Sequence, residues 1–116
     1  MITINRNTRE ARTTNWDVDD KPDLVTIKKN GTPRAKTEVH IYSGASNYST
    51  PLLQVETGLH VTNESWQFLI ADWDLDGTPD LWAINQHGAN GHCDLHILSG
   101  ADHFQSFIAH ITLPLY

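Results

Sequence analysis

Asp72-Trp73-Asp74-Leu75-Asp76-Gly77-Thr78-Pro79-Asp80-Leu81 decides how this chain is read, because Asn15-Trp16-Asp17-Val18-Asp19-Asp20-Lys21-Pro22-Asp23-Leu24 repeats it. Both stretches carry oxygen side chains at positions 1, 3, 5 and 9. Carboxylates packed this densely repel one another unless a divalent ion neutralises them, and Ca²⁺ accepts about six to eight oxygens at flexible geometry. The expected ligands are Asp72, Asp74, Asp76 and Asp80 with the Thr78 carbonyl, and Asn15, Asp17, Asp19 and Asp23 with the Lys21 carbonyl. A metal-free alternative stays open at both loops: Asx-type turns whose carboxylates cap backbone amides.

An Asp-x-Asp-x-Asp-Gly start also suits an EF-hand or dockerin loop, which requires a following helix and usually a Glu at position 12. Both requirements fail. Position 12 is Ala83 in one copy and Thr26 in the other, and Pro79 and Pro22 stand at position 8. Gly77 at position 6 supplies the positive φ that turns the chain around an ion. The first copy has Asp20 there and Asn15 at position 1, so weaker binding is expected at that loop.

The repetition extends beyond the loops. Shifting by 57 positions aligns Trp16, Asp17, Asp19, Pro22, Asp23, Leu24 and Ile27 with Trp73, Asp74, Asp76, Pro79, Asp80, Leu81 and Ile84. One deletion later, His40-Ile41-Tyr42-Ser43-Gly44-Ala45 aligns with His96-Ile97-Leu98-Ser99-Gly100-Ala101, and Tyr48 with Phe104. Ile2 and Ile4 fall opposite Leu59 and Val61, so the chain divides into repeats at 1–57 and 58–116. Arg9-Glu10-Ala11-Arg12-Thr13-Thr14 stands opposite the apolar Trp66–Ala71 run, and a weak or missing first strand is expected there.

Within each unit, short apolar runs rich in β-branched and aromatic residues are bounded by Gly, Pro, Asn and Ser. Strands are predicted at Asp23–Lys28, Thr37–Tyr42 and Pro51–Glu56, then at Gln67–Ala71, Asp80–Asn85, Asp94–Leu98 and Ser106–Leu113. Asn30-Gly31 and Asn90-Gly91 read as hairpin turns. Four antiparallel strands repeating with their loops describe a β-propeller blade better than a sandwich. The expected fold is all-β, a partial propeller of two four-stranded antiparallel blades, the first incomplete.

At 116 residues the chain suffices for one modest core. Of its 14 acidic residues, 8 lie in the two loops, so the net charge of −6 is local to them. No basic stripe suggests nucleic acid or anionic membrane, and no uncharged stretch approaches membrane-spanning length, so insertion is not expected. Cys93 is single, which rules out an internal disulfide. The N-terminus lacks an apolar secretory core, and the expectation is a cytoplasmic or unconventionally secreted protein. Sequons at Asn30, Asn47 and Asn63 matter only in the secretory pathway.

The Asp-x-Asp-x-Asp-Gly-x-x-Asp-Leu loop between strands resembles the calcium loop of FG-GAP/VCBS repeats, as in integrin α-subunit propellers. Together with Glu38-Val39-His40-Ile41-Tyr42-Ser43-Gly44-Ala45-Ser46-Asn47-Tyr48, it is similar to repeats of the Psathyrella velutina lectin type. Such repeats also accompany bacterial cell-wall hydrolases as non-catalytic modules. The resemblance implies a propeller, bound Ca²⁺ and a carbohydrate partner, with N-acetylglucosamine-type glycans the specific expectation. This chain departs from it at Asp20, at residues 9–14, and in having two blades where family propellers have six or seven.

Two isolated blades are expected to expose two sheet faces lined by Leu, Ile, Val and Trp. Homo-oligomers closing a ring, or membership of a longer propeller, answer that expectation. Among the tryptophans, Trp16, Trp73 and Trp82 read as core between blades, whereas Trp66, in the polar His60–Ser65 neighbourhood with His60 and Asn63, is the sugar candidate. His40 and His96 read as structural. No nucleophile has an identifiable base and no Gly-x-Ser-x-Gly elbow occurs, so catalysis is not expected. A non-catalytic adhesion or scaffolding module that binds protein is the alternative to a lectin-like one.

Overall fold

The computed structural model describes residues 8–17, 19, 21–87 and 92–113. Its strands are β1 (Arg9–Thr14), β2 (Asp23–Lys28), β3 (Lys36–Tyr42), β4 (Pro51–His60), β5 (Trp66–Ala71), β6 (Asp80–Asn85), β7 (Cys93–Leu98) and β8 (Phe107–Leu113). They form two four-stranded antiparallel sheets in simple meander order, β1-β2-β3-β4 and β5-β6-β7-β8. Neither sheet closes into a barrel, and the fold is all-β and partial-propeller-like. No helix among the described residues is long and apolar enough to cross a membrane.

Period-2 alternation determines which side chains meet. Val25, Ile27, Val39 and Ile41 on the first sheet, all fully buried, join Trp66, Phe68, Leu81, Ala83 and Leu98 of the second in one core. A single-turn 3₁₀ segment follows the third strand of each sheet, at Gly44–Ser46 and Gly100–Asp102. Each ends in two left-handed residues, Asn47-Tyr48 and His103-Phe104. Phe104 is buried and its ring lies 5.6 Å from that of Trp16, tying the second unit to the first acidic loop.

The expected gap at residues 9–14 is a correction: β1 is complete, paired with β2 from Arg9↔Lys28 to Thr14↔Asp23. Its polar residues survive because the ladder satisfies the backbone whatever the side chains, and because Glu10 bonds across the sheet junction. Glu10 Oε1 lies 2.9 Å from Lys29 Nζ, Oε2 accepts the Phe68 amide at 2.9 Å, and Arg12 sits 3.1 Å away. Lys29 Nζ donates to the Trp66 carbonyl at 2.7 Å. Two edge groups of β5, the Phe68 amide and the Trp66 carbonyl, are thus satisfied by a buried ion pair.

Asn30-Gly31 lies in the β2–β3 connection, with Gly31 at φ +70°, but that connection is longer than a tight turn. Its residues are used elsewhere, since Asn30 Nδ2 donates to the Thr62 carbonyl and Lys29 to that of Asn63. β4 runs on past Glu56 to His60. The Asn90-Gly91 turn, Asp20, Ile2 and Ile4 lie outside the described residues.

The two outer faces differ, which corrects the expectation of two apolar ones. Register and alternation place Leu69, Trp82, Ile84, Leu95, Ile97 and Ile111 together on the outer face of the second sheet. On the first sheet the corresponding outward positions carry Arg9, Thr13, Thr26, Lys28, Glu38 and His40.

Candidate metal centre and inter-sheet cleft

Each acidic loop joins the first strand of its sheet to the second and closes on a fully buried aspartate at that second strand's start. Asp80 Oδ2 accepts the Trp73 amide and Oδ1 the Gly100 amide, both at 2.9 Å. Asp23 repeats this, with Oδ2 taking Trp16 at 2.8 Å and Asp17 at 3.3 Å, and Oδ1 taking Gly44 at 2.9 Å. One carboxylate therefore fastens the loop to the 3₁₀ turn in both units.

That fastening explains the repeated glycines. A Cβ on Gly100 would stand 1.8 Å from the Pro79 carbonyl oxygen, and one on Gly44 2.0 Å from that of Pro22. Backbone cannot yield as a flexible side chain does, so Gly100→Ala and Gly44→Ala are each expected to cost about 2–4 kcal/mol, within the range of severe point mutations. Urea denaturation checks this. A loss below about 0.5 kcal/mol, the ordinary scatter of surface changes, contradicts the close approach.

Around those buried anchors the loops gather two triads, Asp17, Asp19 and Asp23, and Asp72, Asp74 and Asp80. In each, one oxygen per residue lies within 4.8 Å of the others, and each triad can hold a metal ion. Burial is graded, from the exposed Asp17 and Asp74 to the buried Asp23 and Asp80. Of the expected ligands, Asp76, Asn15 and the Thr78 and Lys21 carbonyls fall outside the triads, and Asp19 joins its triad while also capping backbone. Asp76 Oδ1 accepts the Thr78 amide and Asp19 Oδ1 the Lys21 amide, both at 2.9 Å, while Asn15 Nδ2 donates to the Asp19 carbonyl at 2.7 Å. Gly77 has the expected positive φ, +93°, and the exposed Leu75 shares the left-handed region at +58°.

The amides and the anions act oppositely on these carboxyls. Desolvation pushes Asp74 above the ordinary 3.8, helped by Asp80 and Asp76; desolvation together with Asp23 and Asp19 does the same to Asp17. Desolvation also opposes ionisation of Asp72, but the amides of Gly77 and Asp76 outweigh it and hold that carboxyl low; at Asp23 the Gly44, Asp17 and Trp16 amides do the same. The low pair contributes stability above pH 3.8 that is lost as pH falls through their folded-state values. For the raised pair the sign reverses: without a cation, ionising them as pH climbs past 3.8 weakens the fold. A cation must displace protons from Asp17 and Asp74. Its affinity is therefore expected to fall on acidification beginning above pH 3.8, checked by calorimetric titration at stepped pH.

The sugar candidates separate. Trp66 is 6% exposed, stacked with Phe68 and His96 and met edge-on by His60, so the expectation of an exposed tryptophan is corrected. Its polar sequence neighbours belong to a turn that delivers it into the core, where Asn63 Oδ1 accepts the Ser65 amide and hydroxyl. Trp73 is instead 43% exposed, contrary to its expected core placement, because its loop projects from the sheet end. Trp82 is half-buried on the outer face, its Nε1 donating to the Ala71 carbonyl, rather than lying between the sheets. Trp16 does pack on the shared core.

His60 and the edge of Trp66 line a mainly apolar cleft of about 460 Å³ between the sheets, with Leu59, Asn85, His96, Phe107 and His110. His96 and His110 stack at 4.2 Å between ring centroids. Burial holds His96 below the ordinary 6.5, reinforced by His110 and His60 and opposed by Asp94. Sequence reading took His96 as structural and gave His110 no role. The β7–β8 register, which places His110 opposite His96, is the signal that pairs them.

A scan against protein-family models matches none, and searches among curated proteins and solved structures return no similar protein.

Proposed function

We propose that this chain is a Ca²⁺-braced propeller module that binds carbohydrate in the cleft between its two sheets, without catalysis. The observation that carries it is the recurrence, in the same loop of both units, of three converging carboxylates around a buried anchor, the third- and ninth-position aspartates being common to the two triads. The donors are all oxygen, the chemistry of a hard cation, and a flexible carboxylate loop suits the larger Ca²⁺ better than an octahedrally demanding Mg²⁺. What supports a carbohydrate ligand is the cleft: the half-exposed Phe107 offers an apolar surface to a pyranose, while His60, Asn85 and His110 offer polar groups to its hydroxyls. The lectin-type resemblance narrows the ligand to N-acetylglucosamine-type glycans.

Glycan-array binding and calorimetry with N-acetylglucosamine oligomers, each with Ca²⁺ and with chelator, test the proposal. Binding is expected with Ca²⁺, at least tenfold weaker with chelator, and lost in Phe107→Ala. Folded, Ca²⁺-loaded protein silent on every glycan overturns the carbohydrate reading. A second reading, a scaffold that binds protein, is favoured by the apolar outer face of the second sheet, and a stoichiometric protein partner in place of glycan binding supports it.

A further inference from the structure

We propose that two copies of this chain pair face to face through the outer surface of the second sheet, in a two-fold symmetric dimer. That face presents Leu69 and Ile111, 44% and 40% exposed, with Trp82 and Ile84 half-buried between them and Leu95 and Ile97 buried beneath. Among the described strand residues the one formally charged side chain on this face is Asp80 at the start of β6, and it is fully buried with its carboxylate bonded to the Trp73 and Gly100 amides. Position by position, it is the counterpart of the face that the first sheet buries: Trp82 and Ile84 occupy the places of Val25 and Ile27. It carries core chemistry, and among the described residues no strand of the other sheet packs on it.

The polarity of the molecule selects the occupant. Head-to-tail stacking of copies would seat this face on the outer face of another first sheet. There, Arg9, Ala11 and Thr13 stand where the second sheet places Trp66, Phe68 and Ile70 against the core, and Lys28 and Glu38 add charge. Burying Arg9, Lys28 and Glu38 against an apolar sheet removes them from water for the sake of one cross-strand neighbour and the Glu38–His40 contact, a desolvation cost the apolar face does not offset. The surface of a second copy that matches is the same apolar face, and self-complementary contacts close at two.

Size sets the strength. Four strands about 4.8 Å apart and roughly 20 Å long cover on the order of 400 Å² per copy, about half the standard share of a stable interface. The dimer is therefore weak and concentration-dependent.

Sedimentation and light scattering of the whole chain across micromolar concentrations test this, with Ca²⁺ present. The expected result is a shift from 13.1 kDa to twice that mass as concentration rises. Leu69→Glu and Ile111→Glu are expected to weaken association at least tenfold with unchanged circular dichroism, since both side chains already meet solvent. Lys28→Glu, on the other outer face, is expected to leave it unchanged. A monomer at every concentration overturns the proposal, as do three- or four-chain rings. So does a dimer that Lys28→Glu disrupts and both face variants spare.

Discussion

Lys29→Met is expected to lower the free energy of unfolding by about 3–5 kcal/mol, the usual consequence of removing one partner of a buried ion pair. Lys29 is 1% exposed, and its ammonium serves Glu10, the Trp66 carbonyl and the Asn63 carbonyl, at 2.9, 2.7 and 3.3 Å. Methionine fills the stem's volume and supplies no donor. The carboxylate of Glu10 is then left nearly buried, with Arg12, itself partly in water, as its remaining charged neighbour. A small domain has about 5–15 kcal/mol to lose, so this one change removes a large share. Arg34→Met sets the scale, because the Arg34–Glu56 pair is solvent-exposed and worth under about 1 kcal/mol. Glu10→Gln combined with Lys29→Met is expected to recover part of the loss, since no uncompensated charge then remains. Urea denaturation of the four proteins decides the matter. Equal losses in Lys29→Met and Arg34→Met would show that the sheets are not joined through this pair.

That junction is also where sequence reading ran out. Strand positions were legible because alternation and turn residues are local properties, and β2, β3 and β5–β8 lie within a residue or so of the runs that announced them. The fold class followed from the repeat. Arg9–Thr14 was read as an eroded strand because its side chains are polar, yet a strand is made by its ladder, and its Glu10 is bonded to groups 58 positions away in the chain. Composition cannot reveal such a pairing. Trp66 misled in the same way: polar neighbours suggested water, whereas they form the turn that buries the ring. The acidic loops were legible as clusters, since spacing alone brings Asp72, Asp74 and Asp80 together. What spacing could not give was the division of labour, with the ninth-position aspartate bound to two segments of backbone and Asp76 turned to Thr78.

That division yields the second large effect. Asp80→Ala is expected to destabilise the protein even without a cation, because the amides of Trp73 and Gly100 lose their acceptor; at about 1–3 kcal/mol for each stranded donor, the loss is roughly 2–6 kcal/mol. Asp74→Asn should behave oppositely. Asp74 is exposed and crowded by Asp80 and Asp76, so neutralising it removes repulsion and leaves apo stability unchanged or slightly higher. With Ca²⁺ at a hundred times its dissociation constant, one occupied site adds about 2.7 kcal/mol, visible as a rise in melting temperature. Asp74→Asn is expected to forfeit the second loop's share of that rise, Asp17→Asn the first loop's, and the double variant nearly all of it. Thermal melts with Ca²⁺ and with chelator thus separate an anchor from a ligand within one triad. If the double variant gains as much from Ca²⁺ as the parent does, the carboxylates are turn caps and no ion sits among them. If Asp80→Ala melts with the parent in chelator, the buried carboxylate is not what fastens loop to turn.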